Sequence, residues 1–441
     1  MLRFLCSAFV LCGLVHGGEF APATGDRIVW IGDSITHQCK YTQYIENFLY
    51  TRFHDKRLRF FAAGIKGDDA GNVLDRFDED VAFFEPNWAT LLLGMNDGRY
   101  KAFEEKNFEL YQSGMGELLD RLNELGTKAI PLSPSMFDHD QYDFRNLADD
   151  FRFKRIDPDS GYNEKLSLYG GWLQAQSRER GLDYIDFWET MNTVTARFRK
   201  SNPRFTLMPD SIHPNPNGMA IMAGEMAAWF GKSRPYANRT RLRIDGDGVA
   251  SSMEGQVEVE SSSRSSFEGL VRPQALPWTL PATEKMGPSP WYHIDDPRMG
   301  FAVVMDSIEA DEDSLQVSGL SQGRYAIYMN GEWILDADSE ALAAGLRLEG
   351  NAKTPGYRQS LALALLNAER NDVAMRPYRD VQQKMKTARR NFQDDPEAIR
   401  AERSKIEPEL RRLFELARAY EDRIHELAVP RPYRLEIRRV E

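Results

Sequence analysis

Ser34, Asn96, Asp210 and His213 stand in sequence contexts that suit acyl transfer. Ser34 lies in Gly32-Asp33-Ser34-Ile35, directly after the apolar run Arg27 to Ile31. A hydroxyl at that point is a candidate nucleophile, because open α/β sheets take their ligands at the carboxyl ends of strands. Gly-Asp-Ser is also ordinary helix-capping chemistry, so this segment decides nothing by itself. Pro209-Asp210-Ser211-Ile212-His213-Pro214-Asn215 places a carboxylate three residues before an imidazole, in a stretch that its prolines keep irregular. An Asp bonded to one ring nitrogen fixes the tautomer and leaves the other nitrogen free to take a serine proton. Leu91-Leu92-Leu93-Gly94-Met95-Asn96-Asp97 is a second apolar run ending in a polar turn, and the Asn96 amide is a neutral N–H donor for a developing oxyanion. Phe60 to Gly64 is a third, ending on a glycine whose backbone N–H another group can approach closely.

These parts support attack of the Ser34 hydroxyl on an ester carbonyl, proton transfer through His213, and release of the acyl-enzyme by water. At these four blocks the chain resembles the SGNH hydrolases, also called GDSL-type esterases and lipases, over residues 25–235. Carried over, the resemblance implies that Ser34 is the nucleophile, His213 the general base and acid, and Asp210 its orienting partner. It further implies an oxyanion hole made by the Ser34 N–H, the Gly64 N–H and the Asn96 side chain, with no metal and no cofactor. Ile35 stands where many members have Leu, an exchange between apolar residues.

Strands are expected at 27–31, 58–63, 88–93, 128–132 and 182–186, with helical patterns between them. Such alternation predicts an α/β fold, a doubly wound parallel sheet with helices on both faces, flavodoxin-like by the resemblance. Arg99, Tyr100, Phe137 and Tyr142 are candidate substrate-binding residues around the carboxyl-end rim. The polar, aromatic-rich stretch from Asp138 to Lys165, with Tyr142, Phe144, Phe151, Phe153 and Tyr162, is a candidate substrate cover. Asp138-His139-Asp140 has no further ligand at metal-site spacing. Gly64, Gly67 and Gly71 match neither a dinucleotide nor a Walker spacing.

From 236 to 441 the composition changes to a β-rich and helical appendage. Strands are expected at Arg241–Ile244, Gln256–Glu260, Leu315–Val317, Arg324–Glu332 through an Asn330-Gly331 turn, and Tyr433–Ile437. Asp245-Gly246-Asp247-Gly248 reads as a hairpin turn, since Gln256 occupies the position where a calcium loop needs Glu. Helices are expected at Ser339–Gly345, from Pro355 to about Asn371, and from Asp395 onward, where Ile406, Leu410, Leu413, Ala417, Tyr420, Ile424 and Leu427 form one face and Pro408 is expected to kink or divide the run. Trp278, Trp291 and Tyr292 are candidates for stacking on sugar or for the β core. The region is similar to C-terminal extensions of some secreted bacterial SGNH hydrolases.

Met1 to Gly18, with Arg3, an apolar Phe4–Val15 stretch and Gly17-Gly18, has the pattern of a cleavable signal peptide, which predicts an exported protein without stable membrane insertion. Cys6 and Cys12 fall inside that leader, so Cys39 stands alone afterwards and is expected to be buried on the first helix. A net charge of −11 and the lack of basic, aromatic-interleaved stretches argue against a nucleic-acid partner. The expected function is a secreted serine esterase acting on short acyl esters of carbohydrate, the partner being a small-molecule or glycan ester. Lysophospholipase or thioesterase activity, and a glycan-binding protein with a decayed hydrolase domain, are the competing readings.

Overall fold

The computed structural model describes residues 19–139, 161–234, 237–281, 299, 300, 302, 303, 312–393 and 395–440. The leader, Tyr142, Phe144, Phe151, Phe153, Trp291 and Tyr292 lie outside them.

Strands β1 (Arg27–Gly32), β2 (Arg59–Gly64), β3 (Trp88–Leu92) and β4 (Lys128–Leu132) form an all-parallel sheet in the order β2-β1-β3-β4. Both faces are covered, which is why these strands read as apolar runs without alternation. Ile28 and Trp30 of β1 face one core with Phe60, Leu92 and Ile130, while Val29 and Ile31 face the other with Phe61, Ala63 and Leu91. Helices α1 (Ser34–His37), α2 (Tyr41–Arg52), α3 (Ala70–Leu74), α4 (Phe77–Asp80), α5 (Glu105–Glu124), α6 (Tyr162–Glu179), α7 (Phe187–Arg199) and α8 (Pro216–Phe230) follow. Helices α2 and α8 close the first face and α3 and α5 the second. The doubly wound α/β reading of the first half holds.

The expected strand at 182–186 is reduced to one parallel bridge, Leu132 to Ile185. Ile185 exchanges N–H and C=O bonds with Pro131 and Ser133, and Asp186 then caps α7 through the Glu189 N–H, which ends extended structure at once.

The appendage has two sheets. One runs β11-β10-β13-β8-β7 and the other β12-β9-β5-β6, with β5 Ala237–Ile244, β6 Ala250–Glu254, β7 Gln256–Ser263, β8 Ser266–Arg272, β9 Glu312–Ser318, β10 Arg324–Met329, β11 Glu332–Asp338, β12 Leu346–Arg347 and β13 Tyr433–Arg439. Asn330 and Gly331 both have positive φ, 52° and 78°, as a tight two-residue hairpin turn requires. Asp245 accepts from the Asp247 and Val249 N–H groups, so that segment is the expected hairpin turn. Strands β6 and β8 were not anticipated: β6 is short and Ser-rich, and β8 carries a Gly at its centre.

Three C-terminal helices, Pro355–Arg370, Arg376–Asn391 and Pro396–Ala428, pack on the first domain. A π-helical turn, Asn371–Met375, joins the first two. Leu363, Ile424 and Ala428 enter one core of the sheet, and Met385, Leu410 and Leu413 enter the other. The last helix runs unbroken through Pro408, so of the expected kink or division the division does not occur. Trp278 is buried and donates its ring N–H to the Tyr44 carbonyl, a core role.

The helices also solve a problem of the sheet. Strand β2 is an edge, with unpaired backbone groups along one side. Arg370 donates to the Phe60 carbonyl, Arg379 to the Ala62 carbonyl at 2.6 Å, and Glu421 accepts from the Phe60 N–H at 3.0 Å. Charged side chains thus stand where a fifth strand would. Arg370 is itself held between Glu46 and Glu421, and Arg379 by Asp80, all buried.

Candidate active site

The short helix α1 starts on Ser34 because Asp33 caps it, its carboxylate accepting the Ile35 N–H at 2.9 Å. This lifts the Ser34 hydroxyl to the carboxyl end of the central strand. His213 arrives from the irregular loop before α8, a helix opened by Pro216 with Asn215 as its cap. Ser34 Oγ lies 2.8 Å from His213 Nε2, and His213 Nδ1 lies 2.7 Å from Asp210 Oδ2. The other Asp210 oxygen accepts the Ile212 and His213 N–H groups at 3.0 and 2.6 Å, so the carboxylate cannot swing away from the ring. Burial alone would raise the Asp210 carboxyl, but the hydrogen bond and charge of His213 with the two backbone donors outweigh it and hold the group below its ordinary value. Asp210 is therefore an anion, the form that stabilises an imidazolium beside it. The His213 and Asp210 side chains are 14% and 15% exposed, and the site opens to solvent.

The loop is anchored from behind. Asp138 donates its N–H to the Ser211 carbonyl at 3.0 Å, and its carboxylate takes two bonds from Arg199 at 2.8 and 2.7 Å. Asp138 is thus an anchor for the histidine loop, and among the described residues no His/Cys/Asp/Glu group is set to hold a metal.

Asn96 lies in the turn after β3. Its amide donates to the Asp33 carboxylate at 3.2 Å and to the Asp68 carbonyl at 2.9 Å, which draws three segments together beside Ser34. Burial pushes Asp33 up to about 6. The Asn96 carbonyl oxygen accepts from Tyr100 Oη at 2.9 Å, and this fixes which way the amide faces. Arg99 and Tyr100 both have positive φ, 58° and 55°, and the loop that holds them there is closed by Lys165, which donates to the Gly98, Lys101 and Ala102 carbonyls.

Asn96→Ala is expected to lower ester turnover about 100- to 1,000-fold, the usual effect of removing one oxyanion donor. Tyr100→Phe should lower it only about 2- to 10-fold, corresponding to one hydrogen bond of about 0.5–1.5 kcal/mol. Steady-state kinetics on p-nitrophenyl acetate check both, and the reverse order would contradict these assignments.

Gly64 does not bring its N–H to this site. Gly32 faces Gly64 in the β1–β2 register, and the Gly32 carbonyl accepts from Ile65 at 3.1 Å. Odd-numbered residues of β2 therefore bond to β1, and even-numbered ones turn their N–H and C=O to the outer edge. Phe60 and Ala62 show it by pairing with Glu421 and Arg379. Gly64 is instead a packing position: a Cβ there would lie 2.5 Å from the His37 nitrogen and 2.7 Å from the Thr36 carbonyl carbon. The backbone that does approach is the turn beyond it. Gly67 has φ 72°, its neighbour Asp68 gives its carbonyl to Asn96, and among the described residues nothing accepts from the Gly67 N–H.

The candidate substrate residues divide. Arg99 pairs with Asp69 at 2.7 Å and is half exposed at the rim. Tyr100 supports Asn96. Phe137 is buried in a cluster with Met95, Tyr162, Leu166 and Ile212. Tyr142 lies outside the described residues. Cys39 is buried, though in a left-handed turn after α1 (φ 54°) and not on the helix, and burial pushes its thiol up to about 12.

Residues 30–221 match the family described as GDSL-like Lipase/Acylhydrolase. This stretch is a GDSL-type, or SGNH, hydrolase domain. A curated relative, an acetylxylan esterase of Geobacillus stearothermophilus, is 22% identical over 221 residues, which cover 45% of this chain and 91% of the relative. The solved structure of a gut microbial diltiazem-metabolizing enzyme matches 96% of this chain and 100% of its own, with a TM-score of 0.75 and 21% identity. That likeness extends through the appendage and the C-terminal helices, so the two-part architecture is a shared fold. The domain is that of an ester-hydrolysing hydrolase.

Four buried groups of this hydrolase give opposing pH trends. Burial pushes Asp33 up to about 6 and Asp97 up to about 7, from an ordinary 3.8. Between 3.8 and those values the folded chain keeps protons that the unfolded chain releases, so both contributions to stability fall as pH rises. Burial lowers His37 and His425 from 6.5 to about 4, and both contribute the reverse trend between those values. These trends oppose each other, and between pH 6.5 and 7.5 the two histidines, still releasing protons in the unfolded chain, continue to offset Asp97. Asp97→Asn removes the contribution that falls with pH, so the change in urea midpoint from pH 6.5 to 7.5 is expected to be more positive in the variant than in the parent; an identical pH dependence in both would refute the assignment.

Proposed function

We propose that the hydrolase is a serine esterase that works through an acyl-enzyme on Ser34, with His213 as base and acid and Asp210 as its partner. The hydrogen-bonded run from Ser34 through His213 to Asp210 carries the reading. On attack, the Ser34 proton passes to Nε2, the imidazolium is stabilised by the Asp210 carboxylate, and the same proton then leaves with the alcohol. Water activated by His213 releases the acid. The oxyanion donors in this reading are the Ser34 N–H, the Gly67 N–H and the Asn96 amide, which exchanges its 3.2 Å contact with Asp33 for the substrate oxygen.

The proposed substrates are short acyl esters, acetyl above all, on carbohydrate. The acetylxylan esterase relative supports the class. The proposed setting is outside the cytoplasm, supported by the Met1–Gly18 pattern. Among the described residues no helix is long and apolar enough to cross a membrane. The test is a panel of p-nitrophenyl acetate, butyrate and decanoate with acetylated xylo-oligosaccharides, alongside Ser34→Ala. Preference for acetate with release of acetic acid from the oligosaccharides supports the reading. Preference for decanoate moves the assignment to lipid or thioester hydrolysis, and no turnover on any ester overturns it.

A further inference from the structure

We propose that the Arg376–Asn391 helix is a positioning part of the active site, holding the Lys66–Asp68 turn and the helix that carries Ser34. The inference rests on the assignment of the Gly67 N–H as an oxyanion donor. Asp380, Gln383 and Lys386 are spaced by three residues and so lie on one face of their helix. Gln383 Oε1 accepts from the Lys66 N–H at 3.2 Å. Lys386 Nζ donates to the Lys66 carbonyl at 3.2 Å and to Asp68 Oδ1 at 2.8 Å. Asp380 Oδ1 takes the Lys66 ammonium and His37 Nε2, each at 3.0 Å. His37 closes α1, three residues after Ser34.

The turn is thus gripped from both sides. Arg76 holds the second Asp68 carboxylate oxygen at 2.7 Å from within the first domain, and Asn96 holds the Asp68 carbonyl. Between Lys66 and Asp68 stands Gly67, the residue type with the greatest backbone freedom. A donor that stabilises developing charge must be fixed beforehand, and a displacement of about 1 Å costs on the order of 100-fold in rate. Here the fixing groups come from more than 300 residues further along the chain. The C-terminal region is on this account required for chemistry, whatever its β sheets bind.

The test uses the full chain with Lys386→Met and Gln383→Ala, singly and together. The double variant is expected to lose about 10- to 100-fold in kcat on p-nitrophenyl acetate, with KM nearly unchanged and Lys386→Arg restoring most of the loss. Affinity for phenylboronic acid, which forms a tetrahedral adduct on an activated serine, should fall by the same factor. In an Asn96→Ala background the further loss should be much smaller than in the parent, because both changes act on one oxyanion site. Gln383→Ala removes one neutral hydrogen bond and keeps the test open should the double variant unfold. Parental kcat in the folded variants, or losses that add fully to Asn96→Ala, would overturn the proposal. Ser34→Ala measured beside them separates the two claims: turnover lost there with parental kcat in the helix variants overturns the helix role alone, and turnover retained there overturns the nucleophile and the helix role with it.

Discussion

Ser34→Ala is expected to fold like the parent and to lose ester turnover on the order of 10⁶-fold in kcat. The hydroxyl has His213 as its hydrogen-bond partner, and Ser34 sits at the start of α1, where Asp33 supplies the cap. Nothing in the helix depends on the oxygen that is removed. Residual turnover above background comes from the oxyanion donors and substrate binding, which the variant keeps. Asp210→Asn should be less severe, about 10⁴-fold, because the imidazole remains but its tautomer is no longer enforced. Active-site-directed fluorophosphonate labelling should disappear in Ser34→Ala and persist weakly in Asp210→Asn. Kinetics and labelling that ranked these variants in the opposite order would place the nucleophile elsewhere.

Arg370→Leu carries the largest expected loss of stability. The guanidinium is fully buried, bonds the Phe60 carbonyl of the edge strand, and lies between the buried carboxylates Glu46 and Glu421 at 3.4 and 2.8 Å. Glu46 also accepts from Trp30, Asn367 and Asn371, and Glu421 from the Phe60 N–H and Arg59. Removing the cation leaves two buried charges with only neutral or partly exposed partners, and breaking such a group costs about 3–5 kcal/mol. The strand edge loses a donor at the same time. The urea unfolding free energy should drop by that amount, and aggregation should follow as β2 is uncovered. An unfolding free energy within about 1 kcal/mol of the parent would show that the network does not hold the C-terminal helices to the sheet.

Much of the site was legible because its parts are local. Ser34 is positioned by the two residues before it, and Asp210 and His213 by five residues of loop, so spacing in the chain translates into spacing in the fold. Gly64 failed for a reason no local pattern shows. Whether a strand residue turns its N–H inward or outward depends on the register with its neighbour, and a shift of one residue reverses it. The glycine that turns the backbone toward Asn96 is three residues later. The Gly64-x-x-Gly67-Asp68 spacing was visible, but only pairing with β1 shows which glycine is free to donate.

The Arg376–Asn391 helix was missed because its buried face mixes apolar with charged and polar side chains. Its apolar stripe is thin, Tyr378, Val381, Met385 and Ala388, and Arg379 and Gln382 lie buried beside it in a segment otherwise dense in charge. Its partners are backbone carbonyls and acids of the first domain, far away in sequence. The role of Tyr100 was hidden for another reason: its nearness to Asn96 in the chain suggested substrate contact, whereas its hydroxyl turns back on the amide. Phe137 likewise is buried in a small apolar cluster with Met95 and Ile212.

The most direct test of the account is to trap the acyl-enzyme. The purified chain is mixed with p-nitrophenyl acetate, quenched in acid within milliseconds, digested, and the peptide containing Ser34 is analysed by mass spectrometry. Acetylation of Ser34 in the quenched sample, sharply reduced in His213→Ala and absent in Ser34→Ala, is the predicted result. Rapid release of p-nitrophenol with no acyl group on Ser34 at any quench time, and equal turnover in Ser34→Ala, would contradict it.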